Sequence, residues 1–284
     1  MELPVNKEQS TLNLTQNLEI ELLIEAIFKR YGYDFRDYNK AHIRRRILFR
    51  TAALGLRSIS ELQHKVLHEN DFFDLILKDL SINVTEMYRD PGFYASLRKE
   101  VLPMLKTYPY VKLWLAGCST GEEVYSFAIM LEEEGLYDRT QIYATDFNPI
   151  SLETARKGIY SVARIKEYTA NYQLSGGINS FSDYYVANYD SVIFNQDLRK
   201  NTVFAEHNLV TDSVFAEVHM IICRNVLIYF NKDLQNKVVR LFSESLIKGG
   251  FLGLGSKENL MFTEVVDQFT VIDAKEKIYK KKVI

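Results

Sequence analysis

The chain has 284 residues, 47% of them hydrophobic and 25% charged, and a net charge of −2. That composition is globular, the length suits one large domain or two unequal ones, and the near-neutral balance gives no global basic field to gather nucleic acid. Cys118 and Cys223 are the only cysteines, too few for a disulfide scaffold or a zinc site. Without an apolar leader in residues 1–8 or a run of membrane-spanning length, the expectation is a reducing, cytoplasmic setting with no metal and no membrane insertion.

From about residue 17 to residue 80 the pattern predicts helices. Leu22, Leu23, Ala26 and Ile27 repeat at helical spacing, as do Leu62, Val66, Phe73, Leu75 and Leu77 less regularly. Ser58 or Ser60 is placed to cap the helix that contains Glu61. This segment is separately basic: between Glu25 and Arg57 nine Lys and Arg stand against three acids, a local charge of +6 that leaves −8 for the remainder. A helix puts Arg46 and Arg50 (i, i+4) on one face, either as a solvated surface or as a docking stripe for an acidic helical partner. The segment Ser81-Ile82-Asn83-Val84-Thr85-Glu86-Met87-Tyr88-Arg89-Asp90-Pro91 reads by itself as a linker with a helix start at Asp90-Pro91, and a domain boundary is expected after residue 90.

Past Pro91 strands and helices alternate. Strands are predicted at 111–115, 141–145, 218–223 and 251–255, with a shorter one at 203–206. Helices are predicted at 122–134, 151–157 and 232–247, the last ended by Gly249-Gly250. This is the signature of an α/β fold, a mostly parallel sheet covered on both faces. Between residues 160 and 202 the rhythm fails. Tyr168, Tyr172, Phe181, Tyr184, Tyr185, Tyr189 and Phe194 alternate with polar residues around Ser175-Gly176-Gly177, which reads as a small antiparallel β insertion.

The chemistry concentrates at the predicted strand ends. The stretch from Lys112 to Ser126 runs an apolar strand into a small-residue turn, Gly117-Cys118-Ser119-Thr120-Gly121, and opens a helix on Glu122-Glu123. Such turns hold nucleotide-like cofactors in doubly wound sheets because a ligand approaches the backbone where no Cβ intervenes. A pyrophosphate on the bare helix amides would be repelled by those carboxylates. A ligand with ribose hydroxyls, an ammonium and a sulfonium suits the acidic rim, and S-adenosylmethionine is such a ligand. The plain alternative is that the two glutamates only complement the helix dipole. Asp146 ends the second strand where an acid accepts both ribose hydroxyls, or it caps the helix that follows. Asn208-Leu209, after the third strand, offers an amide side chain and a backbone N–H to an adenine edge, or a simple turn. Cys223-Arg224-Asn225-Val226-Leu227-Ile228-Tyr229-Phe230 sets polar groups directly after a buried strand, facing the crevice where ligands bind. The five histidines share no ligand spacing.

Taken together these motifs resemble the bacterial chemotaxis-receptor glutamate methyltransferases, over nearly the whole chain. The marks are Asn83-x-Thr85-x-x-x-Arg89, Ser119-Thr120-Gly121-Glu122-Glu123-x-Tyr125-Ser126, Ala144-Thr145-Asp146, Lys157-Gly158-Ile159-Tyr160 and Cys223-Arg224-Asn225-Val226-x-Ile228-Tyr229-Phe230. The resemblance implies a helical N-terminal domain (1–90) and a Rossmann-like S-adenosylmethionine-dependent methyltransferase domain (91–284), with 160–202 as the family's inserted β-subdomain. It implies cofactor contacts at Asn83, Thr85, Arg89, Gly117, Glu123, Asp146, Asn208, Leu209, Arg224 and Asn225, and the release of S-adenosylhomocysteine. Arg89 and Tyr229 resemble the pair nearest the transferred methyl group. The basic helix bearing Arg44, Arg46 and Arg50 resembles the one that docks on the cytoplasmic helical region of chemotaxis receptors, and the protein is expected to act as a monomer. Two departures stand out. Gly117-Cys118 replaces alanines common in the family, and Ser175-Gly176-Gly177 is not the Gly-x-Gly of members that grip a receptor tail. The competing readings are a nucleic-acid methyltransferase, with Arg44-Arg45-Arg46 on phosphates, and a non-catalytic adaptor that binds the cofactor as a sensor.

Overall fold

The computed structural model describes residues 7–81, 85–214 and 216–283. The chain divides into two compact units, Met1–Ile82 with Tyr229–Leu234, and Asn83–Ile228 with Gln235–Ile284. The helical unit therefore ends nearer to residue 82 than to residue 90 and takes in a six-residue piece from far along the chain.

In the helical unit α1 (Lys7–Tyr31), α2 (Lys40–Ala53), α3 (Ile59–His68) and α4 (Asn70–Leu80) follow in order. Each buries residues four apart: Leu23 and Ile27 of α1, Ile43 and Ile47 of α2, Leu62 and Val66 of α3, Phe73 and Leu77 of α4. Ser58 is the cap of α3, its side chain accepting the N–H of Glu61 at 3.1 Å, and Tyr31 stacks on Phe73 with ring centroids 3.7 Å apart.

In the larger unit α5 (Pro91–Ser96), a π-helical turn and α6 (Leu102–Leu105) lead into β1 (Val111–Ala116). Then come α7 (Glu122–Glu133), β2 (Thr140–Asp146), α8 (Pro149–Lys157), β3 (Ile159–Ser161), α9 (Ile165–Leu174), β4 (Tyr185–Asn188), β5 (Ser191–Phe194), β6 (Thr202–Glu206), β7 (Val218–Cys223), α10 (Lys232–Ser245), β8 (Leu246–Leu254), β9 (Phe269–Asp273) and β10 (Ile278–Lys281). One sheet has the order β6-β2-β1-β7-β8-β10-β9 and a second the order β3-β5-β4. The first five strands of the larger sheet are parallel, and β10 runs antiparallel to both its neighbours. Successive side chains of a strand point to opposite faces. Accordingly Leu113 and Leu115 join the core cluster that includes Phe127 and Ile129 of α7, while Trp114 meets Phe242 of α10 edge-on at 5.4 Å. The expected sheet with both faces covered is present.

Two expectations are corrected. Tyr168 and Tyr172 belong to helix α9, four residues apart and both buried, because their spacing serves a helix face as well as every second strand position. The antiparallel part of the insertion is β3-β5-β4. Gly249-Gly250 does not end α10; it lies inside β8, which starts at Leu246. The pair is needed where backbones crowd, since a Cβ on Gly250 would stand 3.0 Å from the carbonyl oxygens of His219 and Ile247.

Candidate active site

The register of the large sheet brings four strand ends side by side. Ala116 pairs with Thr145, Asp146 with Glu206 and Leu115 with Ile222, so the loops after β6, β2, β1 and β7 open at one edge. The turn after β1 is held by the amides of Gly117 and Cys118, which both donate to the carbonyl of Thr145, at 2.8 and 2.9 Å. It needs left-handed backbone at Gly117, Ser119 and Gly121, with φ of 77°, 51° and 94°. Gly117 also allows a close approach: a Cβ there would stand 2.6 Å from Cγ2 of Val226, which seats the motif after β7 against the turn after β1.

Asp146 is buried at the base of this edge. Its Oδ2 accepts the N–H of Ser119 at 2.8 Å and its Oδ1 the N–H of Asn148 at 2.9 Å. The helix cap is Asn148 instead, whose side chain accepts from Ile150 at 3.0 Å. Burial pushes the Asp146 carboxyl up to about 6, against the pull of these amides. A carboxylate offers about four lone-pair sites, and the amide of Phe147 acts on this one beside those of Ser119 and Asn148, so acceptor capacity is left over. A vicinal diol supplies O–H donors for it. The donor set fits the ribose of the expected cofactor.

Arg224 is the hub of the second cluster. Its side chain is 3% exposed. Nη1 reaches Oε1 of Glu123 at 3.0 Å, and Nη2 reaches Oδ2 of Asp90 at 2.7 Å and the carbonyl of Arg89 at 2.9 Å. The guanidinium lies 4.3 Å over the ring of Phe93. Asp90, read from sequence as a helix start, makes no side-chain cap for α5 and serves this ion pair. Burial pushes the Glu123 carboxyl up, with Arg224 as the main opposing influence. Arg89 sits between Tyr88 and Asp90, which are both left-handed, with φ of 52° and 55°. Strained backbone of this kind persists only where surrounding contacts over-determine it. Thr85 accepts at its carbonyl from Arg164 at 2.9 Å. Asn83 lies outside the described residues.

Asn208 makes the turn that its type suggests, its Oδ1 accepting from Val210 at 3.0 Å. Among the described residues its Nδ2 donor has no partner, and Leu209 beside it is buried. Asn225 takes a left-handed φ of 60°, and the residue that holds it there was not legible in the sequence. Glu258, buried in the loop after β8, accepts the amides of Asn225 at 3.0 Å, Val226 at 2.9 Å and Gly255 at 2.6 Å. Burial pushes its carboxyl up while these amides pull it down. Gly255-Ser256-Lys257-Glu258-Asn259 looks like any exposed turn, and nothing local marks the glutamate, because Asn225 and Val226, which it holds, lie 33 and 32 residues away. Cys118 and Cys223 are free and buried. Burial pushes both thiols well up, which suits packing and not nucleophilic work.

Tyr229 clusters with the helical unit. Its carbonyl accepts the N–H of Asn39, the cap of α2, at 2.7 Å, and its ring meets His42 edge-on at 5.4 Å. Of the basic run on α2, Arg44 binds Asn17, Asn13 and Gln16 of α1 at 2.7, 3.1 and 2.6 Å. Arg50 forms a two-pronged pair with Asp79 of α4 at 2.5 and 2.7 Å. Arg46 is half-buried, while Arg45 and Phe49 are exposed.

Residues 18–81 match the model of the CheR methyltransferase all-alpha domain, and residues 83–278 match that of the CheR methyltransferase S-adenosylmethionine-binding domain. The chain belongs to the CheR methyltransferase family. It is 51% identical over 265 residues to a protein of Pseudomonas putida named as the methyltransferase Cher3, covering 93% of this chain and 97% of that one. It is 29% identical over 243 residues to the chemotaxis protein methyltransferase of Listeria monocytogenes, covering 84% and 90%. It is 28% identical over 287 residues to that of Salmonella typhimurium, covering 95% and 94%. A CheR-type chemotaxis protein methyltransferase is a protein-glutamate O-methyltransferase, and its larger domain binds S-adenosylmethionine. Membership removes the nucleic-acid methyltransferase and the non-catalytic adaptor. Among the described residues no helix is long and apolar enough to cross a membrane.

Proposed function

We propose that this CheR enzyme methylates glutamate side chains on the cytoplasmic helical region of chemotaxis receptors, with Asp146 holding the cofactor ribose. The observation that carries the reading is the buried Asp146 carboxylate, which the amides of Ser119, Asn148 and Phe147 hold at the common edge of four strand ends with acceptor capacity left. Asn208 and Leu209 frame the adenine. Glu123, whose second oxygen has no partner among the described residues, takes the ammonium. Arg224 and Asn225 fix the wall between them, and Gly117 permits close packing. Asn83 and Thr85 complete the cofactor contacts.

Bound S-adenosylmethionine supplies an electrophilic methyl group on a sulfonium, which an ionised carboxylate takes without help from a base. Glutamate is ionised at neutral pH, so the protein's task is alignment and exclusion of water, worth roughly 7–11 kcal/mol in well-oriented reactions. Arg89 is permanently charged and orients the incoming carboxylate, while Tyr229 donates a hydrogen bond near the reacting oxygen. Tyr229→Phe should keep S-adenosylhomocysteine affinity within about threefold and lower the methylation rate by roughly 10²-fold, the low end for loss of a positioned group. Titration calorimetry and initial rates on receptor fragments separate the two. A normal rate would move Tyr229 out of the site. The activity itself is tested with methyl-labelled cofactor and receptor fragments, where alkali-labile label on glutamate is expected and alkali-stable label would overturn the reading.

The docking surface is α2. Arg44 and Arg50 serve it by fixing the helix to α1 and α4, and Arg45 and Arg46 meet acidic side chains on the receptor helices. Reversing Arg45 and Arg46 to Glu should lower methylation of receptor fragments about tenfold at low salt without altering cofactor binding. The loss should shrink with added salt, since exposed charges are screened within about 10 Å at 0.1 M. Equal activity of wild type and variant at low salt would remove the docking role.

A further inference from the structure

The inner side of the insertion grips the segment that carries Arg89. Tyr160 of β3 donates to the carbonyl of Thr120 in the glycine turn at 2.8 Å. Arg164, in the turn before α9, places Nη1 2.9 Å from the carbonyl of Thr85 and 3.7 Å from Oε1 of Glu122. Its guanidinium lies 5.0 Å over the ring of Tyr168. Two turns further along, Asn171 donates Nδ2 to the carbonyl of Met87 at 3.1 Å. Two carbonyls of one short segment are thus tied to one helix and its leading turn. That same segment must hold left-handed backbone at Tyr88 and Asp90, conformations that need outside support.

We propose that Arg164 is a positioning residue for cofactor binding, a clasp from the β insertion that joins the Thr85–Arg89 segment to the first turn of α7. This rests on the reading of that segment and of the glycine turn as the two walls of the S-adenosylmethionine site. One guanidinium nitrogen, Nη1, serves both walls, and its charge is permanent. Without it the segment loses a tether, and the cofactor must order that segment on binding. The insertion is then part of the cofactor site as well as a surface element, and whatever binds its outer strands acts on a structure that touches the site.

The experiment measures Michaelis constants for S-adenosylmethionine and for a receptor fragment, S-adenosylhomocysteine affinity by calorimetry, and melting temperature. Arg164→Ala should raise the cofactor KM and weaken S-adenosylhomocysteine binding about tenfold, with the receptor KM within twofold of wild type. Arg164→Lys should recover part of the loss, because an ammonium keeps the charge but not the planar group that lies over Tyr168. Asn171→Ala should shift cofactor KM the same way, about threefold. Val186→Ser, on the exposed edge strand β4, should change none of these. A purely structural role would lower the active fraction, and with it the rate, while leaving both KM values in place. Arg164→Ala with wild-type cofactor affinity overturns the clasp. So does an Arg164→Ala protein that fails to fold, if Asn171→Ala leaves cofactor KM unchanged. A wild-type protein that binds no S-adenosylhomocysteine overturns the cofactor reading itself, and the clasp with it.

Discussion

Asp146→Ala should weaken S-adenosylhomocysteine binding by about 1–3 kcal/mol, the scale for stranding polar partners, or roughly 5- to 150-fold. Wild-type binding should also depend on pH in a way that the variant lacks. In the free protein burial holds the Asp146 carboxyl up at about 6, above an ordinary aspartate. A proton therefore competes for the acceptor sites that ribose hydroxyls need. The sign follows: affinity is level above neutral pH, where the group is ionised, and falls by up to tenfold per pH unit below about 6. Binding two hydroxyl donors favours the anion, so the complex should titrate lower than the free protein. Calorimetry from pH 5 to 8 checks this. Equal affinity across that range in a folded wild-type protein would detach Asp146 from the ribose.

The largest effect on stability is expected at Arg224. Arg224→Leu removes the common partner of Glu123 and Asp90 while leaving Glu123 in a site that already disfavours its charge. Deleting one member of a buried ion pair costs about 3–5 kcal/mol because the remaining charge is stranded. Urea denaturation should show that loss, and cofactor binding should fall with it, since the guanidinium also holds the carbonyl of Arg89 at 2.9 Å. Arg224→Lys should rescue little, having one ammonium where a fork bridges two elements. Adding Glu123→Gln to Arg224→Leu should recover part of the stability, a coupling that a double-mutant cycle measures. Arg224→Leu at wild-type stability would show the cluster to be dispensable.

Much of this site was legible because its parts are local. Glycines at a strand end, carboxylates opening a helix and an acid closing the next strand each announce themselves within a few residues, and the parallel sheet brings them together by register. What stayed hidden depends on partners distant in sequence. Glu258 is a buried carboxylate only because the loop after β7 folds over it. Asp90 looks like a helix start until Arg224, 134 positions away, claims it. Arg44 and Arg50 read as free charges, and only the packing of α1 and α4 shows them engaged. The start of β8 is hidden because Gly249-Gly250 gives the same local signal whether it stops a helix or lets a strand pass close to its neighbour. Tyr168 and Tyr172 are ambiguous for a similar reason, since a separation of four satisfies both periods.

The six residues from Tyr229 to Leu234 have a practical consequence for recombining relatives of this enzyme. They form part of the helical unit's own fabric: Phe230 meets Tyr38 with ring centroids 5.0 Å apart, the amide of Asn231 donates to Asp37 at 2.9 Å, and Tyr229 is bonded to the cap of the basic helix. A chimaera joined near residue 82 alone would carry a foreign plug into the transplanted helices. On the proposed docking by α2, exchange of receptor preference between family members should therefore succeed when the graft takes both pieces together, and Tyr229, proposed for the chemical step, would travel with the helices.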